Sequence, residues 1–212
     1  MALLAPTAKM TRHQGRLAYN MISIPTITYS LAACTFSKTQ LEQIQAPALY
    51  TFLPAMGWNR TTSRAIIHGP EELGGINIPP LYAIHGASKI ISMLTNIQAK
   101  TELGKLFVIN TNWLQLVSGH EQQIFQTYGN ISYVRQNWLL HLKVYMEECP
   151  ITMKSKHFWL PQIRRQNDVI LMELAIQYTA NVYQLKIINN WRIYFQAQIG
   201  RASCRERVLL MV

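Results

Sequence analysis

Apolar positions along the 212-residue chain recur mostly at intervals of three and four, the period of helices packed on one side. Residues 7–23 read as a first helix, with Thr7 as its cap, Lys9, Arg12 and Arg16 along one side, and Met10, Leu17 and Met21 near helical spacing. Pro25 interrupts it, and the apolar stretch from Ile24 to Phe36 fits helix and strand alike. Ser37 with Gln40 makes a capping box. The helix it opens carries Leu41, Ile44, Ala48, Phe52 and Leu53 at helical spacings; Pro47 is a site for a kink, and Pro54 with Gly57 ends it. Arg64 to His68 is strand-like, Gly75 to Ile78 suits a partner strand, and Gly69 to Gly74 reads as the hairpin connection. Two strands alone are marginal, so this hairpin is expected to lean on helices. Pro79 and Pro80 end it and open the next helix.

From Leu81 onward the pattern is helical again. Ile84, Ala87, Ile91 and Leu94 form an apolar stripe, with His85, Ser88, Lys89 and Ser92 on other faces. Thr101 caps a helix holding Leu103, Leu106, Phe107, Ile109, Trp113, Leu116 and Val117, and Gly119 ends it. Gln122 to Ser132 shows no clear period. Val134 to Glu148 reads as a helix with Trp138, Leu142 and Tyr145 on one face, closed by Cys149 and Pro150. Asn167 and Asp168 suit the cap of a segment from Val169 to Tyr178. A last helix runs from Val182 to Gln196, with Leu185, Ile188, Trp191 and Phe195 facing inward. The expected fold class is mainly α, a helical bundle with one small β-hairpin near residues 64–78.

Composition narrows the chemistry. Asp occurs once, at Asp168, so neither an aspartate pair nor an aspartate cage for two metal ions can be assembled. The six histidines and the cysteines Cys34, Cys149 and Cys204 never approach metal-box spacing. No GxSxG elbow is present, Gly74-Gly75 is not followed by the Lys and Ser/Thr of a phosphate loop, and Glu147-Glu148 reads as a solvated helix face. The sequons at Asn59 and Asn130 carry no weight without a secretory signal. No catalytic residue, metal ligand or cofactor site is expected. No apolar run reaches membrane-spanning length, and widely spaced cysteines without a leader point to an intracellular protein of the cytoplasm or nucleus.

Charge is the positive signal. Lys and Arg number 20 against 10 Asp and Glu, giving +10 and a pI near 9.7. Lys9, Arg12 and Arg16 share one helix, Arg60 and Arg64 precede the supposed hairpin, and Lys154, Lys156, Arg164 and Arg165 flank His157, Phe158 and Trp159. Basic groups beside aromatic rings suit phosphate backbones and exposed bases. Any one of them also reads as solvated surface that keeps the chain soluble.

The segment from Arg64 to Ile78, with its Pro70 and Gly74-Gly75-Ile76, resembles the region just after the polymerase core of non-LTR (LINE-like) reverse transcriptases, and Asn77 stands where that family usually has glycine. Ile24 to Leu31, Gln43 to Pro47, Gly57 to Arg60, Asn167 to Met172 and Ile187 to Tyr194 are similar to retroelement proteins of protists and algae in the same order. The resemblance implies a thumb-and-linker region: a helical thumb-like segment over residues 1–57, a linker over 58–80 and a helical C-terminal region over 81–198. It puts the polymerase's Asp-Asp metal site upstream of Met1. It implies a non-catalytic piece that grips the RNA/DNA template–primer backbone and packs against the parent's palm and fingers, with no membrane partner. Arg12, Arg16, Lys38, Arg60, Arg64 and Lys89 are the candidate grips, chosen by charge and position. A freestanding nucleic-acid-binding module and a helical protein-interaction domain are the alternatives. Separately, Ile199 to Val208 resembles the translation of a short-read sequencing adapter, so residues 199–212 are set aside as an artefactual tail; without them 17 basic and 9 acidic side chains remain.

Overall fold

Local caps decide where the first helices begin. Thr11 and Ser37 each close a reciprocal capping box, with Gln14 and Gln40 respectively, and so satisfy amides that a helix start leaves open. The computed structural model describes residues 10–126, 131–154, 168–195 and 199–201. The chain divides into two units, Met1–Ser92 and Met93–Val212. It is mainly helical.

In the first unit, α1 (Arg12–Ala18) passes through one π turn (Tyr19–Ser23) into α2 (Ile24–Thr28). The helix therefore starts after Thr11, and Pro25 does not break it. Pro25 sits in the first turn of α2, where a missing amide costs little. The next helix, α3 (Lys38–Ala55), continues through Pro47 and buries Leu41, Gln45, Ala48, Leu49, Phe52 and Leu53, while Ile44 lies exposed. Tyr19 is fully buried, with its ring edge-on to Phe52 at 5.5 Å.

The hairpin expected over residues 64–78 does not form. Arg64–His68 is a helical turn, α4, followed by a 3-10 turn at Glu71–Leu73 and then an irregular return through residues 75–78, in which Asn77 is left-handed with φ 57°. The return does run beside the first segment, but it caps a helix and does not pair with a strand. The Ile76 and Ile78 amides donate to the Ile66 and Ile67 carbonyls at 2.9 and 3.0 Å, and the Asn77 amide donates to Gly69 O at 2.9 Å. A five-residue helix has too few residues to use its own last carbonyls, so a neighbouring backbone must. His68 adds a bond from Nδ1 to Ile78 O at 2.7 Å. Gly75 is needed where the segments cross, because a Cβ there would collide with the Gly69 carbonyl. Ile67, Ile76 and Ile78 then join Tyr19, Leu49 and Phe52 in one core.

Gln45 fixes how this core meets the next helix. Its Nε2 donates to Tyr19 Oη at 3.1 Å and to Pro79 O at 3.0 Å, and its Oε1 accepts the Leu81 amide at 3.1 Å. The helix that follows, α5 (Leu81–Gln98), is rotated relative to the sequence reading. Its buried line is Leu81, His85, Lys89 and Met93, whereas Ile91 is 63% exposed. Two polar tethers set that rotation, Gln45 at Leu81 and the bond from His85 Nε2 to Cys34 O at 3.0 Å.

In the second unit, Thr101 caps α6 (Glu102–Ser118), which ends at Gly119 with φ 68°. Its buried residues include Thr111, Leu114, Gln115 and Ser118, and Leu103, Leu106, Ile109 and Trp113 are exposed. Asn137 starts α7 (Trp138–Glu148), later than the Val134 expected. Asp168 caps no helix. Asp168–Ile170 is extended (β1) and pairs antiparallel with Ile199–Arg201 (β2), so α8 (Leu171–Tyr178) begins after Ile170; Asn167 lies outside the described residues. The last helix, α9 (Val182–Tyr194), starts at the Asn181 cap and buries Leu185, Asn189 and Arg192. Trp191 and Phe195, expected inward, are 56% and 60% exposed.

Candidate nucleic-acid interface

The six candidate grips separate into three kinds once their surroundings are known. Arg60 and Lys38 are exposed and seated on tyrosine rings. The Arg60 guanidinium lies 4.4 Å from the Tyr50 ring centroid and donates to Tyr50 Oη at 3.2 Å; Lys38 Nζ stands 5.7 Å from the centroid of Tyr82. Each ring holds its cation in place without consuming its charge. Arg64 is exposed at the start of α4, and its field acts on Tyr19, whose phenol is raised above its ordinary pKa mainly by burial.

Arg12 and Arg16 have structural duties. Arg12 lies against Gly57, just past the C-terminus of α3, where the helix end favours a cation. Arg16 pairs with Glu71, both half-exposed, and ties α1 to the 3-10 turn. Lys89 is not a surface group at all. It is 1% exposed, and burial lowers its ammonium to a pKa of about 8, against the opposing field of Cys34. Its place on the buried line of α5 removes it from any contact with a duplex.

Arg12, Lys38, Arg60 and Arg64, all in the first unit, are thus the exposed members of the set, and of these Arg12 lies against a helix end. Sequence reasoning missed the rings beneath two of them. Tyr82 lies far from Lys38 in the chain, so no local spacing announces the pair. Of the second basic run, Lys154 is exposed, and residues 155–167 lie outside the described residues.

The second unit holds a polar centre that the sequence did not announce. The Tyr133 hydroxyl donates to Ser118 O at 2.7 Å and lies 3.3 Å from His120 Nε2. His120 Nδ1 faces Glu173 at 3.9 Å, and Glu173 accepts the Glu121 amide at 2.9 Å. Arg192 Nη2 donates to Leu116 O and Val117 O at 2.7 and 2.8 Å. Gln115 fills the interior of the loop after α6, donating to His120 O and Gln122 O and accepting the Ile124 amide. Lys143 pairs with Glu147 beside this group.

A hydroxyl, an imidazole and a carboxylate in a row resemble a nucleophilic relay, but their chemistry here is structural. Tyr133 is 5% exposed, and burial raises its phenol far above the ordinary range. Its proton is committed to a backbone carbonyl. Burial, then Lys143 and Arg192, lowers His120 to a pKa of about 4, so it is neutral at pH 7. These groups close the C-terminus of α6 and hold the loop that follows. Among the described residues, no group of three or more His, Cys, Asp or Glu side chains is gathered to hold a metal, and no helix is long and apolar enough to cross a membrane.

No protein-family model, curated protein or solved structure matches the chain.

Proposed function

We propose that this chain is a non-catalytic, helical nucleic-acid-binding part of a retroelement reverse transcriptase, of the thumb or post-polymerase type, gripping the backbone of a template–primer duplex. The observation that carries the reading is the Arg60 guanidinium held over the exposed ring of Tyr50. This pre-orders a planar cation for a phosphate at small entropic cost. Lys38 on Tyr82 repeats the device, and Arg64 adds another exposed cation in the same unit. The scarcity of aspartate supports a clamping role over a nucleotidyl-transfer role.

The test is binding of the full chain to an RNA–DNA duplex across a salt series. Affinity should fall linearly on a log–log plot, and Arg60→Ala should reduce the slope by about one. Primer extension with Mg²⁺ should yield no product. Salt-independent binding, or incorporation of deoxynucleotides, contradicts the reading.

The exposed line Leu103, Leu106, Ile109 and Trp113 on α6 favours a second reading, docking against another protein part such as the parent's palm. It predicts association through α6 that leaves the salt slope for duplex unchanged.

A further inference from the structure

α9 presents a face that neither the helical core nor the backbone grip explains. Tyr183, Ile187, Asn190, Trp191 and Tyr194 follow one another at helical spacings along its outer side, opposite buried Leu185, Asn189 and Arg192. The rings are open to solvent, with Tyr183 at 71%, Trp191 at 56% and Tyr194 at 77% exposure. They are also ordered among themselves. Trp191 stacks on Phe195 with centroids 5.5 Å apart and planes at 15°, and Tyr194 stands edge-on to Phe195 at 5.2 Å. A core helix hides such rings, and a solvated face does not carry four of them.

We infer that the outer face of α9 is a stacking platform for the unpaired bases of single-stranded nucleic acid. Two features select that occupant over an apolar protein surface or a second copy of this chain. First, α9 contains no acidic residue, and its exposed cation, Lys186, lies one turn from Tyr183 and Asn190 on the same side. The charge complements a phosphate chain running beside the rings. Second, flat aromatic faces stack on bases of any sequence, and the Asn190 amide offers both a donor and an acceptor to a base edge. A second copy of α9 would instead bring Lys186 toward another cationic face.

The inference rests on the proposed nucleic-acid role, but the two readings fail separately. The full chain is titrated with a fluorescent deoxythymidine 16-mer and with an RNA–DNA duplex. The double variant Trp191→Ala/Tyr194→Ala alters exposed side chains, and unchanged circular dichroism and unfolding midpoint establish that it is folded. It should weaken single-strand binding by roughly tenfold or more with the salt slope kept, since stacking is not a counterion effect, and leave duplex binding unaltered. Arg60→Ala should do the reverse. Equal single-strand affinity in the parent and double variant overturns the platform even where duplex binding persists. So does a loss of self-association in the double variant by sedimentation, which would identify a second copy as the occupant.

Discussion

Arg192 and Val117, 75 residues apart in the chain, meet at the C-terminus of α6, where Arg192 Nη2 donates to the Val117 carbonyl at 2.8 Å. The same nitrogen reaches Leu116 O, and Asn189 Oδ1 accepts from Nε and Nη2 on the other side. A helix ends with carbonyls that lack intrahelical amides and with the negative end of its dipole. Here a buried guanidinium supplies what water would otherwise supply.

Arg192→Met should therefore lower unfolding free energy by about 2–4 kcal/mol, because two part-buried carbonyls and the buried Asn189 amide oxygen lose their donor. Urea denaturation followed by circular dichroism checks this. A loss under about 0.5 kcal/mol, the range of ordinary surface changes, would show that the cap contributes little.

Gln45 holds an equivalent post in the first unit. Gln45→Leu keeps the volume but strips partners from the Leu81 amide, Pro79 O and the Tyr19 hydroxyl. The expected loss is about 2–4 kcal/mol. Gln115→Leu, which frees the Ile124 amide and the carbonyls of His120 and Gln122, should cost a similar amount, read by the same urea titration.

How much of this was legible in the sequence follows the range of the interactions. Ser37 with Gln40, Thr101, and Gly119 are caps whose partners lie within a few residues, and their positions are correct. Arg64 to His68 misleads because a short run of Ala, Ile and Ile suits a strand and a buried helical turn equally. What decides it is the return of residues 76–78 to cap the turn. The inner faces of α5 and α9 were misread for a related reason. Periodicity counts apolar side chains, yet α5 is turned by Gln45 and His85, and α9 by the pull of Arg192 toward carbonyls made much earlier in the chain. Among the candidate grips, charge could not separate the exposed Arg12, Lys38, Arg60 and Arg64 from Lys89, whose burial is a tertiary fact.

His120 makes stability pH-dependent. Its imidazole titrates near 4 in the folded protein and near 6.5 when unfolded, because burial and then the fields of Lys143 and Arg192 outweigh the nearby Glu173 carboxylate. Between those values the unfolded chain binds the extra proton, so the contribution is complete above pH 6.5 and is lost as pH falls toward 4. The loss should reach about 3 kcal/mol. His120→Asn should flatten that part of the stability–pH curve. A variant curve parallel to the parent's would contradict the assignment.

Lys89 supplies the opposite kind of test. The cost of burying its charge is carried in full at pH 7, since both states are protonated there, and it is relieved between pH 8 and 10.5 as the folded group deprotonates first. Lys89→Met should raise stability at pH 7 by about 2 kcal/mol, with the gain shrinking above pH 8. Duplex binding should be unchanged. A drop in duplex affinity would return Lys89 to the interface.

The most direct measurement is the salt dependence of duplex binding by the parent chain beside the triple variant Lys38→Ala/Arg60→Ala/Arg64→Ala. The parent should show a steep linear fall of log affinity with log salt, and the triple variant should lose about three units of slope with its unfolding midpoint within a few degrees of the parent's. A parent without salt-dependent binding, or a triple variant with an undiminished slope, would contradict a backbone-gripping role for these three cations.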